Sequence, residues 1–168
     1  MAPSSEIFID DILKKSLIFK EKRLDLIGSK NMETRIEKTI EKHDKGYNCA
    51  QAVACTYCDL VGVDEETMFK AAEALGLGMG GMEGTCGAVS GACLLAGFKN
   101  STCNLEAPDS KASSYKLSRA IVEKFLAQNG AVACKDLKGV NTGTVLRKCP
   151  DCIRDAAKFA EEVLFAEK

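Results

Sequence analysis

The chain has no tryptophan, only three prolines and a single histidine, His43, among 168 residues. One imidazole leaves little room for hydrolases that need a histidine base beside a serine or cysteine. Without a C-x-x-C-H string, covalent haem attachment is excluded. Charge of one sign is also missing: 23 basic against 24 acidic residues give a net −1 and an isoelectric point near 5.9. With no basic excess to neutralise phosphates, nucleic acid is not an expected partner. No uninterrupted apolar run approaches the roughly 20 residues that a membrane-spanning helix needs. The opening Met1-Ala-Pro-Ser-Ser-Glu lacks the basic stretch of a secretory signal, so the expected location is the cytoplasm.

What is abundant is cysteine, nine in all. That density stays below the roughly 8–10% of disulfide-stapled secreted scaffolds, and the odd count leaves one thiol over. In reducing cytosol such cysteines serve metal binding, catalysis or redox work, or are packed as small apolar residues. Hydrophobic residues at 46% and charged residues at 28% are ordinary for a globular chain of 18.0 kDa. Length alone argues for one domain with an appendage.

Periodicity is helical almost throughout, and no alternating strand pattern is found. Ile36 and Ile40 mark a helix over Met32–Lys42, closed by Gly46. Asn48 is the expected N-cap of a helix from Cys49 to Leu60, and Asp64 of one ending at Leu75-Gly76. After the glycine-rich run Gly76–Gly84, a helix of small residues is expected from Cys86 to Ala96, stopped by Gly97. Pro108-Asp109 open a long helix to Gln128, stopped by Asn129-Gly130. Cys134–Gly143 reads as irregular. The last helix runs from Pro150 to Ala166 with Ile153, Ala157, Ala160 and Leu164 inward. The expected architecture is therefore an all-α, compact, bundle-like domain over 32–168 with glycine-rich turns. Residues 1–31 read as an extension in which Ile9, Leu13, Leu17 and Leu24 form one apolar helix face.

The sharpest chemical signal is Gly84-Thr85-Cys86-Gly87-Ala88-Val89-Ser90-Gly91. In the first turn of a helix, free backbone amides and the dipole favour thiolate over thiol at Cys86. Gly87 and Gly91, four apart, open a face for a second backbone, and Ser90 on that face could donate to the sulfur. The glycines before Cys86 follow a helix rather than a strand and lack a Gly-Lys-Ser/Thr ending, which speaks against a nucleotide loop. Cys149-Pro150-Asp151-Cys152 is a C-x-x-C at a helix start, with Cys149 expected at the N-cap and Pro150 at the first helical position. Such a pair can close a small disulfide. As a zinc half-site it needs a second pair, and only Cys55-Thr-Tyr-Cys58 has that spacing. Cys49 opens its own helix, Cys93 falls two turns after Cys86 on a packing face, Cys134 stands alone, and Cys103 lies in a loop without an assignable role.

Gly46-Tyr47-Asn48-Cys49-Ala50-Gln51-Ala52, the Cys86–Gly91 motif, Cys134, and Cys149-Pro150 followed by Ile153-Arg154-Asp155-Ala156 together resemble the C_GCAxxG_C_C family from about Met32 onward. That resemblance implies a redox-active protein whose functional set is Cys49, Cys86, Cys134 and Cys149. It leaves Cys55, Cys58, Cys93, Cys103 and Cys152 as extras. Family members are often encoded beside transporter genes, which implies an association with a transport system. Two mechanisms follow. In dithiol/disulfide exchange Cys86 is the nucleophile, Cys149 or Cys49 resolves it, and the substrate is a redox partner or small oxidised molecule. Alternatively the same four thiolates ligate zinc or an iron–sulfur cluster. A domain of inert, packed cysteines is the third reading.

Overall fold

The computed structural model describes residues 32–166, and the expected helix face at Ile9, Leu13, Leu17 and Leu24 lies outside them. The described residues are helical and contain no strand, in agreement with the all-α expectation; an isolated antiparallel bridge joins Thr85 to Ala133. Six helices carry the fold: α1 (Ile36–Asp44), α2 (Cys49–Thr56), α3 (Glu65–Glu73), α4 (Gly87–Asn100), α5 (Lys111–Asn129) and α6 (Cys149–Ala160).

At the centre, α2 packs along α4. Every residue of α2 from Ala50 to Thr56 is buried, and α4 buries Gly87, Ala88, Val89, Gly91, Ala92, Leu95 and Ala96. The small side chains let the two backbones nearly touch. A Cβ on Gly91 would lie 2.5 Å from the Ala50 carbonyl oxygen, closer than such atoms approach. Around this pair, α3 covers α2, α5 covers α4, and α6 packs against α1, α2, α4 and α5. The inward stripe of α6 holds Ile153, Ala157 and Ala160 as its spacing predicts, and buried Leu164 continues it in a wider final turn, Glu161–Phe165.

Several boundaries move from their expected places. α2 stops at Thr56 because Tyr57 turns fully inward and donates from its hydroxyl to Glu161 at 2.8 Å. The chain then tightens into a single turn, Cys58–Val61, ending on Gly62 in the left-handed region. Gly97 does not stop α4, which continues to Asn100. The helix's buried Leu95 and Ala96 outweigh the roughly 1 kcal/mol that an interior glycine costs. α5 starts two residues after Asp109, since Asp109 and Ser110 are engaged by the Thr102 hydroxyl and the Thr102 amide. Cys134–Leu137 is a helical turn rather than irregular chain.

Candidate functional site

The four cysteines of the motif set all stand at the start of a helical segment. Cys49 is the first residue of α2, positioned by Asn48, whose side chain accepts from the amides of Ala50 and Gln51 while the Gln51 side chain returns to the Asn48 amide. The same Asn48 donates to the Glu73 carbonyl, which ties α2's start to α3's end. Cys134 is the first residue of its single turn, and Cys149 the first of α6. Here Lys148 takes the cap that was expected of Cys149, and Pro150 moves to the second position, where its missing N–H is equally harmless. Cys86 shifts the other way. It is the N-cap of α4 rather than a first-turn residue.

These cysteines come together. Cys49, Cys86, Cys134, Cys149 and Cys152 line one cavity of about 190 Å³, with His43, Asn48, Leu77 and Lys138 completing the wall. The glycine run accounts for much of the convergence. Leu77, Gly78, Met79, Gly80 and Met82 all adopt positive φ, three of them with side chains that disfavour it. This strained turn points the Leu77 amide at the Cys49 sulfur. A Cβ on Gly78 would lie 2.6 Å from Cys134 Cβ, and one on Gly87 2.5 Å from Cys49 Sγ, so both glycines are places where only a bare Cα fits. Three backbone bonds fasten the turn to the Cys134 segment: Cys86 N–H to the Val132 carbonyl, Cys134 N–H to Gly84, and Lys135 N–H to Met82, at 2.8–2.9 Å.

All nine cysteines are free thiols. Cys86 is 6% exposed, Cys134 5% and Cys152 3%, whereas Cys49 and Cys149 are half-buried. The electrostatics separate them further. Cys86 is brought down to about 7, chiefly by the Cys152 thiol in the same wall, and then by the free amides of Ala88 and Val89 and by Lys138, against the cost of burial; the Cys152 thiol itself donates to the Arg147 carbonyl at 3.9 Å. The Cys86 sulfur lies outside ideal capping geometry, so the two amides act as aligned dipoles rather than through a formed cap bond. Cys152 is pushed far up by the same partnership and by burial. Burial also raises Cys49 and takes Cys134 to about 11. Lys138 Nζ donates to Cys149 Sγ at 3.1 Å.

The remaining expectations sort cleanly. Cys55 and Cys58 are not in the cavity wall; the Cys58 thiol donates to the Cys55 carbonyl, so the two C-x-x-C pairs do not assemble into one site. Cys93 packs between helices near the Ser118 carbonyl, and Cys103 is exposed. Ser90 does not reach the Cys86 sulfur: its hydroxyl donates to the Cys86 carbonyl one turn back, the usual alternative for a helical serine. Among the described residues, no three histidine, cysteine, aspartate or glutamate side chains are grouped to hold one metal ion.

Three further residues, Cys152, Lys138 and His43, stand in the wall beside the four motif cysteines. Cys152 passed as an extra although it is one helical turn from Cys149. Lys138 falls four residues after Cys134, a same-face spacing visible only once a helical turn is assigned there. His43, whose Nδ1 is 2.9 Å from the Tyr47 carbonyl, reaches the wall from the end of α1 and has no local signal.

The match to known families falls on this arrangement. A family model described as "Putative redox-active protein (C_GCAxxG_C_C)" covers residues 47–163. The chain belongs to the C_GCAxxG_C_C family. The matched span holds all four motif cysteines together with Cys152 and Lys138. No curated protein and no solved structure matches the chain.

Proposed function

We propose that this member of the C_GCAxxG_C_C family carries out thiol–disulfide exchange at the cysteine-lined cavity, with Cys86 as the low-pKa thiolate and Cys152 as the thiol that closes on it. The observation that carries the reading is the shared cavity wall, where Cys86 and Cys152 stand with Cys49, Cys134 and Cys149; the lowered Cys86 thiol, with Cys152 as its largest influence, supports it. The sequence alone points to Cys149 or Cys49 as the resolving partner; the common cavity wall and the lowered Cys86 thiol support Cys152 instead. The reaction accepts two electrons. A substrate disulfide is reduced to two thiols while one protein disulfide forms, and the proton on Cys152 leaves with a departing thiolate.

Oxidation of the reduced protein by one equivalent of a small disulfide, followed by peptide mapping, tests this. The expected product is a single Cys86–Cys152 disulfide, lost in Cys86→Ser while the helical circular dichroism is kept. Full oxidation of the wild-type protein without that linkage would refute the assignment.

The ligand reading of Cys49, Cys86, Cys134 and Cys149 rests on donor chemistry, since thiolates are the natural ligands of zinc and iron–sulfur clusters. As arranged here, the wall residues do not fit a metal ion, because no ligand trio is gathered among the described residues.

A further inference from the structure

A thiolate that is 94% covered is poorly placed to meet an incoming disulfide, because exchange needs in-line approach with room for the leaving sulfur. The cavity, at about 190 Å³, is smaller than the roughly 300 Å³ at which pockets begin to enclose organic ligands. Only two of the wall cysteines are half-exposed. Cys49 is hemmed by Gly87 and by the turn at Leu77. Cys149 has Lys138 at 3.1 Å and a second thiol, Cys152, one turn along the same helix.

We propose that Cys149 is the substrate-facing thiol and passes the oxidation inward to the Cys86–Cys152 pair, with Lys138 positioned to donate to the Cys149 sulfur whenever it attacks or leaves. This rests on the exchange reading above and adds the order of events. The Cys149 thiolate attacks one sulfur of the substrate disulfide, forming a mixed disulfide and expelling the first substrate thiolate, which takes the Cys152 proton. Cys152 then attacks Cys149 Sγ and expels the second substrate thiolate. Residues three apart on a helix have Cβ atoms about 5–6 Å apart, so this closure needs the first turn to tighten toward the roughly 4 Å of a disulfide. Finally Cys86 attacks Cys152 Sγ, and Cys149 departs as thiolate beside the Lys138 ammonium. Two electrons have moved from Cys86 and Cys152 to the substrate, and Cys149 is reduced again.

This order makes Lys138 a positioning residue whose effect differs between steps. It pairs with Cys149 in the two steps in which that sulfur carries the negative charge, as the anion before attack and as the leaving group at the end, and is not required for the resting Cys86–Cys152 pair. A residue that merely stabilised the fold would slow all steps or none.

The test uses dipyridyl disulfide, whose released thione is read by absorbance, with the full chain carrying Cys103→Ser throughout, so that the exposed loop thiol releases none. In Cys86→Ser/Cys152→Ser, one rapid release and a lasting adduct on Cys149 are expected. In Cys86→Ser alone, the expected product is a Cys149–Cys152 disulfide. Cys149→Ser should slow the first release at least about tenfold, while slow oxidation still ends in a Cys86–Cys152 disulfide. Lys138→Met should slow it by about tenfold, the weight of one hydrogen bond to a charged group, and Lys138→Arg should recover most of that rate at unchanged thermal stability. An adduct on Cys49 or Cys134 in the double variant, or an unchanged first release in Cys149→Ser, would overturn the order of thiols and leave the exchange reading intact. Failure of the wild-type protein to form Cys86–Cys152 at all, with Cys149 still modified, would overturn the exchange reading itself and the hand-over with it.

Discussion

Cys86 and Cys152 line the same cavity, and the Cys152 thiol does more than the start of α4 to hold the Cys86 thiol low. Two thiols that influence each other's proton this strongly titrate as a unit. Removing either member therefore changes the chemistry of the other.

The pH dependence follows directly. Alkylation of Cys86 by iodoacetamide should rise with an inflection near pH 7, and that of Cys134 only near 11. Cys152→Ala removes that neighbour's donor and should move the Cys86 inflection upward. Time-resolved alkylation with peptide mapping measures both. A Cys86 inflection unchanged in Cys152→Ala would show that the helix start alone governs it.

Stability should follow the same shifts with opposite signs. Cys86 is depressed in the fold from 9.0 to about 7, so its contribution is present above pH 9 and is lost as pH falls through 7. Cys134 and Cys55 are raised to about 11 and 12, so theirs is fully present below pH 9 and is lost as pH rises toward those values. Urea unfolding of reduced protein should thus be most resistant near pH 9, and Cys134→Ser should flatten the alkaline decline.

Gly87 and Gly91 of α4 are separable. Gly91→Ala forces a methyl against the Ala50 carbonyl and should cost roughly 1–3 kcal/mol in unfolding free energy, with thiol reactivity kept in the folded fraction. Gly87→Ala drives a methyl onto Cys49 Sγ as well as onto Leu75, and should cost as much while also changing the reactivity of Cys49. Denaturation curves paired with thiol-labelling rates distinguish the two outcomes.

Helices and their caps were readable because they are local. Asn48 and Asp64 act as caps as the sequence indicates, and Gly130 ends α5 in the left-handed conformation. What could not be read is the turn at Cys134 and the company it keeps. Its ordering depends on backbone bonds to Gly84 and Met82, which no periodicity encodes. With that turn unassigned, Lys138 had no face and no partner. Cys152 was discounted because the family motif names Cys149, while the packing that brings Cys152 to Cys86 belongs to the crossing of α6 over α4.

Metal content offers an independent check on the chemistry. Protein prepared without air and incubated with equimolar zinc should give up the ion readily to a mild chelator, with little change in Cys86 alkylation. Stoichiometric zinc or iron that shields Cys86 until it is stripped would favour ligation, because a bound thiolate is spent on the ion.

The Asn48 cap carries a cost of its own. Asn48→Ala should lower stability by about 1–2 kcal/mol, since it frees two α2 amides and breaks the link to Glu73. Its second effect should be a faster, less selective modification of Cys49, which loses the anchored turn that aims it. Hydrogen exchange at Ala50 and Gln51 reports the first effect and labelling of Cys49 the second.

The bridge between Thr85 and Ala133 also dictates when the protein becomes competent. Each helix can form from neighbouring residues within about a microsecond, but joining Gly84 to Cys134 means closing a loop that contains all of α4 and α5. During synthesis Cys86 leaves the ribosome long before Cys149 and Cys152 exist, so for that interval it is an unguarded sulfur without its partner. A chain stalled or truncated before α6 would carry the motif but not the chemistry, and would be the form most open to random oxidation.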